Sequence, residues 1–245
     1  MLVEHTFKPV LQSHCDDKAM QWLLSAIATI ENSVGEREPL QIALAMARRK
    51  VGDTRLVFSL PGFDGEPLPC EHWVASDLAR ICLLAVALRT PNTCTAELLT
   101  SCFQSGDERE RSALLMGLAW LDPAGLWLAE AEQCCRVNSV TQFAAIAMQN
   151  PYPAQFFAQH SFNQLVLKSL FLGLDINHVH GLQQRNNAQL SSMCCAYIDE
   201  QVAAGRQYPL SIWLAVDGAS CEADRLQQAA NDLSPEAYRS FMTAS

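Results

Sequence analysis

The chain has 245 residues, of which 49% are hydrophobic and 18% charged, and its formal net charge is −9. This composition is typical of a globular protein with a sizeable core, and it excludes an intrinsically disordered chain. The acidic charge also argues against nucleic-acid binding, because phosphate contacts need a basic surface and the clearest basic run is Arg48-Arg49-Lys50, at a predicted helix end.

The first fifteen residues show no clear periodicity and are predicted to form an extended arm. Asp16 or Asp17 caps a predicted helix that ends near Ile30, and a second helix is predicted over Glu38–Lys50. The breaker-rich stretch 61–67 predicts a loop, either a plain connector or a cover over a cleft.

Further helices are predicted from apolar spacing and capping patterns. They are Trp73–Leu88, about Ala96–Phe103, one capped by Ser105 with Glu108, Ala124–Cys135 after Asp122-Pro123, one capped by Ser139 with Gln142, Leu165–Leu172 capped by Ser161, Asn187–Ala204 ended by Gly205, Pro209–Val216 and Ser234–Met242. These elements predict an all-α chain of about ten helices, arranged as an irregular right-handed stack of helical hairpins of the α-solenoid or HEAT-like kind. We expect a single domain over residues 1–245.

The cysteines and the N-terminus indicate a cytoplasmic protein. None of the ten cysteines forms a C-x-x-C pair, and the adjacent thiols at 134–135 and 194–195 lie in predicted helices, where neighbouring side chains diverge. We therefore expect them to be small buried side chains in a reducing compartment. The start MLVEHTFKPV lacks the pattern of a signal peptide, and no apolar run is long enough to span a membrane.

Two features of residues 139–206 are candidates for function. The segment Asn150-Pro151-Tyr152-Pro153 is stiff, so it either positions Asn150 and Tyr152 at a cavity wall or simply ends a helix. Lys168 stands among Leu, Val and Phe on a helix predicted to be buried nearly all round, which leaves three interpretations. The first is an ion-paired or snorkelling lysine, with Asp199 or Glu200 as partner. The second is a ligand-contacting cation, and the third is a Schiff-base or general-base lysine.

Other chemistry finds little support in the sequence. His178 and His180 lack acidic or cysteine companions at a recognised metal-site spacing, so we predict no metal. No nucleotide-binding or hydrolase motif occurs, and we predict no cofactor. Arg185 and Arg206 flank the long predicted helix, where each either holds an anionic ligand or bonds a carbonyl or carboxylate of the protein.

The runs FAAIAMQNPYPAQFF, FNQLVLKSLFLGL, GLQQRNN and AAGR, followed by Pro209 and Trp213, occur in an order that resembles the EboA family. The resemblance covers residues 141–213. The chain departs from the family's usual residues at Phe162, at Gln183-Gln184 and around Glu200. Members of the family are bacterial and are encoded beside a membrane prenyltransferase-like protein, in clusters linked to moving a secondary metabolite or its precursor.

The resemblance implies an accessory role in metabolite traffic, in which the protein binds a small molecule or a cluster-encoded partner without catalysis. The predicted ligand-binding residues are Asn150, Tyr152, Asn163, Gln164, Lys168, Arg185, Glu200 and Arg206. Two alternatives remain open. One is an enzyme acting on an aromatic or isoprenoid-like metabolite, with Lys168 as base or anchor and Glu200 as its partner. The other is a helical scaffold in which the polar residues hold helices together.

Overall fold

The structure is a computed structural model that describes residues 6–61, 67–70 and 72–243, without the side chains of Pro61 and Ser220. Within these ranges fifteen α-helices, three short 3-10 helices and one two-stranded sheet are present. The all-α prediction is confirmed, while the stacking of hairpins stays a prediction. Contacts divide the chain into two compact units, Met1–Tyr152 and Pro153–Ser245.

The described residues of the first unit form the sheet and nine complete helices. The helices are α1 (Lys8–His14), α2 (Asp17–Asn32), α3 (Glu38–Val51), α4 (Ala75–Ala87), α5 (Thr95–Ser105), α6 (Glu108–Met116), α7 (Leu118–Leu121), α8 (Leu128–Cys134) and α9 (Val140–Ala147). The strands β1 (Ser59–Pro61) and β2 (Pro67–Pro69) pair antiparallel, with Leu60 opposite Leu68. The two end residues of the predicted loop, Pro61 and Pro67, therefore pair with each other in the sheet. Residues 62–66 of that loop lie outside the described part.

Helix α10 (Pro151–Phe156) begins at the end of the first unit and continues into the second. The second unit then contains α11 (Gln159–Phe171), α12 (Leu182–Arg185), α13 (Ala188–Ala203), α14 (Ala223–Asp232) and α15 (Pro235–Thr243), with 3-10 helices at Ile176–His178, Leu210–Ala215 and Gly218–Ser220. Pro151 and Pro153 stand in the first turn of α10, where a missing amide hydrogen breaks no helical hydrogen bond.

The core of the first unit is built around α4, which packs against α1, α2, α3, α6 and α7. Almost every residue of α4 is buried, including the charged pair Asp77 and Arg80, whose Oδ1 and Nη1 atoms are 3.5 Å apart. Arg80 also donates to the carbonyl of Leu44 at 3.1 Å. Burial raises the pKa of Asp77, although the charges of Arg109 and Arg80 oppose the rise.

Several local predictions were wrong, either in the type of element or in the residue at which a helix begins. Lys8–His14 forms α1 where an extended arm was expected, because Phe7 and Leu11 lie one helical turn apart and both are fully buried. The capping box of α6 consists of Asp107 and Glu110, two residues after the predicted Ser105. Helix α11 begins at Gln159, ahead of the expected cap at Ser161.

The start of α8 also differs from the prediction. Gly125 has a φ of +69°, a left-handed conformation that interrupts the helix expected from Ala124, so α8 starts at Leu128. Asp122 does not cap that helix in the usual way. Its buried carboxylate instead accepts hydrogen bonds from the amides of Leu126 and Trp127, at 2.9 and 2.8 Å.

Candidate functional site

Asn150 and Tyr152, predicted to line a ligand cavity, are bonded inside the first unit. The Asn150 amide nitrogen donates to the carbonyls of Leu115 and Ala145 at 2.8 and 3.0 Å, and its oxygen accepts from the Tyr152 amide at 3.0 Å. Asn150 is 2% exposed. Its donors and its acceptor are therefore used to close the end of α9 and to start α10.

Tyr152 makes a buried hydrogen bond to a carboxylate that is distant in sequence. Its ring is fully buried, and its hydroxyl donates to Oδ2 of Asp122 at 2.7 Å. Burial raises the pKa of Tyr152, and the hydrogen bond to Asp122 raises it further. The phenol therefore stays protonated and serves as a third donor to Asp122, beside the two backbone amides.

Asn163 and Arg185 come together in the second unit. The fully buried Asn163 exchanges hydrogen bonds with Asn187 at 3.0 and 3.3 Å and accepts one from Gln159 at 2.9 Å. Gln159 in turn accepts from Nη2 of Arg185 at 3.3 Å. The sequence thus selected two members of one polar cluster, and it missed Gln159 and the capping role of Asn187 within that cluster.

Arg185 joins α10, α11 and α12. Its Nη1 donates to the carbonyls of Pro153 and Ala154 at 3.0 and 3.1 Å, and its guanidinium carbon lies 4.4 Å from the ring centre of Phe162. Burial lowers the pKa of Arg185. Gly181, with a φ of +74°, lets α12 approach this point, since a Cβ there would stand 2.7 Å from the Cβ of Ala154.

The remaining predicted residues are more exposed. Lys168 is half-buried in the last turn of α11, Gln164 is exposed, and Phe171 is 55% exposed, so the expectation of a helix buried nearly all round was wrong. Glu200 and Arg206 form a surface ion pair, at 3.5 Å between Oε1 and Nη2. That these residues bind a ligand stays a prediction.

A cavity that the sequence analysis missed lies in the second unit, between α13 and the segment leading into α14. Its volume is about 410 Å³. It is lined by Ala188, Ser191, Ser192, Cys195, Asp199, Asp217, Cys221, Glu222, Asp224, Arg225 and Gln228. Lys168 is absent from this lining. A cavity of this size is within the range that holds small metabolites.

Three residue pairs across this cavity share one spacing. Ser191 accepts a hydrogen bond from the Asp217 amide at 2.9 Å, and Arg225 donates to Asp199 at 2.6 Å. Between these two contacts stand Cys195 and Cys221, which both line the cavity, and each thiol affects the pKa of the other. Each pair joins residues 26 positions apart, and successive pairs lie four residues apart along both segments. Residues at this spacing share one helix face, so α13 presents all three side chains to the cavity.

The charges of the cavity are partly neutralised by pairing. Arg225 is half-buried and also donates to Gln228 at 2.8 Å. Burial pushes the pKa of Arg225 down, but the hydrogen bond and charge of Asp199 outweigh it and the pKa is raised. Glu222 and Asp224 are exposed at the rim, so the cavity is acidic around one paired cation.

No cluster of three or more His, Cys, Asp or Glu side chains is arranged to hold a metal ion in residues 6–61, 67–70 and 72–243. Over the same ranges, no helix combines the length and the apolar character needed to cross a lipid bilayer.

Comparison with known proteins gives one family. The family model described as "Metabolite traffic protein EboA" matches residues 3–217, which is most of the chain. No curated protein and no solved structure matches the chain. The match supports a role in metabolite traffic, and it ends at Asp217, so the cavity wall formed by Cys221, Arg225 and Gln228 follows the matched region.

Proposed function

We propose that this chain, which belongs to the EboA family, takes part in metabolite traffic by binding a small molecule, without catalysis, in the cavity beside α13. The observation that carries the proposal is the cavity itself. It has a volume of about 410 Å³, and it offers hydroxyl, thiol, amide and charged side chains in one place. Such a mixture of a few polar groups in a concave site is typical of specific small-molecule recognition.

Binding is favoured over catalysis by the state of the polar groups in the cavity. The Ser191 hydroxyl accepts from a backbone amide, and the Cys221 thiol donates to the Asp217 carbonyl at 3.2 Å. Burial raises the pKa of Cys195 and of Cys221. Ser191 and Cys221 are therefore bonded to other groups of the protein and both thiols favour the neutral form, whereas a catalytic nucleophile needs a base that removes its proton.

A scaffold role is the second candidate, and the hydrogen bonds of four predicted site residues favour it. Asn150, Tyr152, Asn163 and Arg185 all use their polar atoms on other groups of the protein. In this interpretation they hold helices together, and binding to a cluster-encoded protein uses other surfaces. The enzyme alternative, with Lys168 as base or anchor, makes a different prediction, because the ligand would then contact Lys168.

The experiment is purification of the full chain from its native host, followed by identification of co-purifying small molecules by mass spectrometry. Ser192→Trp places a large side chain at the cavity, and Ala196→Trp places the same side chain at an exposed position of α13 outside the lining. We expect a bound metabolite in the wild type and in Ala196→Trp, and its loss in Ser192→Trp.

Other outcomes contradict the proposal in distinct ways. Equal retention in both tryptophan variants places the ligand elsewhere, and loss in Lys168→Met instead places it at the residues that the sequence predicted. Absence of any metabolite, together with stoichiometric recovery of a cluster-encoded protein, favours the scaffold. Conversion of a recovered metabolite by the purified protein establishes an enzyme. Thermal melts of each variant show that the comparison is made on folded protein.

A further inference from the structure

The contacts across the cavity bring two cysteines together from separate elements. Cys195 lies on α13, and Cys221 follows the 3-10 helix Gly218–Ser220. The hydrogen bond from the Asp217 amide to Ser191 fixes one side of this pair, and the ion pair of Arg225 with Asp199 fixes the other. The two cysteines therefore stand in register, each four residues from a fixed contact on either side.

We infer that Cys195 and Cys221 form a reversible disulfide when the protein meets a hydroperoxide. Both thiols are half-buried at the wall of a cavity, so a small oxidant reaches them while the surrounding contacts keep them aligned. The pair is a modification site, and this inference does not depend on which metabolite the cavity binds.

The reaction balances with one hydroperoxide. A thiolate attacks one peroxide oxygen, the O–O bond breaks, and the products are a sulfenic acid and a hydroxide that takes up a proton to become water. The second sulfur attacks the sulfenic sulfur, the S–S bond forms, and the S–O bond breaks. The departing hydroxide takes the proton of the second thiol. Two thiols lose two hydrogens, and hydrogen peroxide is reduced to two molecules of water.

The electrostatics around the two thiols make their oxidation slow, so the selection of this pair depends on proximity. Burial raises the pKa of both thiols, which lowers the fraction of thiolate. Arg225 is the cation that faces both sulfurs, and it favours the thiolate, whereas Asp199 opposes it at Cys195 and Asp217 opposes it at Cys221. Proximity therefore selects this pair, since the second thiol captures the sulfenic acid before further oxidation.

The disulfide would change the cavity wall. In the reduced protein, the segment from Asp217 to Arg225 is held against α13 by hydrogen bonds and an ion pair, which open and close readily. A covalent link at their centre would hold this wall closed. We therefore expect oxidation to slow hydrogen exchange in the amides of α14 and to restrict entry to the cavity.

Peptide mapping tests the pairing directly. The folded full chain is treated with hydrogen peroxide, the remaining thiols are blocked, and tryptic peptides are analysed without reduction. Trypsin cuts after Arg185, Arg206 and Arg225, so the disulfide joins the peptide 186–206 to the peptide 207–225. Cys194 lies in the first peptide and is fully buried, which makes Cys194→Ala the matched control for Cys195→Ser.

We expect the linked peptide in the wild type and in Cys194→Ala, its loss in Cys195→Ser and in Cys221→Ser, and its disappearance after treatment with dithiothreitol. The intact mass should fall by two hydrogens. A wild-type protein that gains oxygen on separate cysteines without the linked peptide would overturn the inference. So would a linked peptide that persists in Cys195→Ser. The wild type alone shows whether peptide 186–206 is linked to peptide 207–225, and the variants then assign the link to Cys195 or to Cys194.

Discussion

Replacement of Arg185 by methionine separates a structural arginine from a ligand-binding one. Arg185→Met removes hydrogen bonds to two carbonyls of α10 and to Gln159, and it removes the guanidinium from the face of Phe162. The matched control is Arg206→Met, since Arg206 carries the same charge but is exposed and pairs with an exposed Glu200. Both arginines are among the ligand-binding residues predicted from the sequence.

The expected magnitude follows from the contacts. A buried hydrogen bond to a charged group contributes roughly 1.5–3 kcal/mol, and a partly exposed cation–π contact contributes about 0.5–1 kcal/mol. Arg185 is half-buried and methionine retains the packing of its stem, so we expect a loss of about 2–4 kcal/mol in the free energy of unfolding. A surface ion pair contributes about 0–1 kcal/mol, which is the expected loss for Arg206→Met.

Urea unfolding, with hydrogen exchange read on the amides of α11 and α13, measures both losses. We expect the unfolding midpoint of Arg185→Met to fall well below that of Arg206→Met, and the exchange of α11 to accelerate in Arg185→Met alone. If the two variants differ by less than about 1 kcal/mol, the hydrogen bonds of Arg185 do not hold the second unit together. The assignment of Arg185 to a ligand would then be the better explanation.

Two further predictions concern the first unit. Tyr152→Phe removes the third donor to the buried carboxylate of Asp122, so urea unfolding should show a loss of about 1.5–3 kcal/mol, and a loss near zero would mean that the two backbone amides suffice. Burial pushes the pKa of Asp53 up, but the hydrogen bond from Ser76 and the charges of two arginines outweigh it and the pKa is lowered. The stabilisation by Asp53 is therefore present above the ordinary carboxyl pKa of about 3.9, and it is lost as the pH falls through the lower folded-state pKa. We expect Asp53→Asn to lower the free energy of unfolding more at neutral pH than at acid pH. An equal loss at both pH values would contradict this expectation.

Local sequence signals determined the positions of several helices. Asp16 and Ser139 accept hydrogen bonds from amides of the helices they cap, and Gly205 ends α13 with a φ of +63°. These signals are reliable because a cap or a left-handed turn involves neighbours within a few residues, so its energy depends on the sequence nearby. The all-α class can be predicted from the sequence for the same reason.

The functional roles of the polar residues depended on partners distant in sequence. Asn150 and Tyr152 were predicted to face a ligand, yet Asn150 bonds to Leu115 and Tyr152 bonds to Asp122. Asp199 and Glu200, the predicted partners of Lys168, contact Arg225 and Arg206, and a pairing of either with Lys168 stays a prediction. Tertiary packing decides which polar group a side chain contacts. A buried polar side chain stabilises the fold when it is hydrogen-bonded and destabilises it when it is not.

The residue pairs at the cavity are determined partly by the sequence and partly by the tertiary structure. The spacing of Ser191, Cys195 and Asp199 is visible in the sequence of a predicted helix, and so is the same spacing at Asp217, Cys221 and Arg225. Their pairing is not visible, because it requires the chain to return after 26 residues and lie beside α13 in one register. Local helix chemistry fixes which side chains share a face, whereas only the packed fold fixes what that face meets.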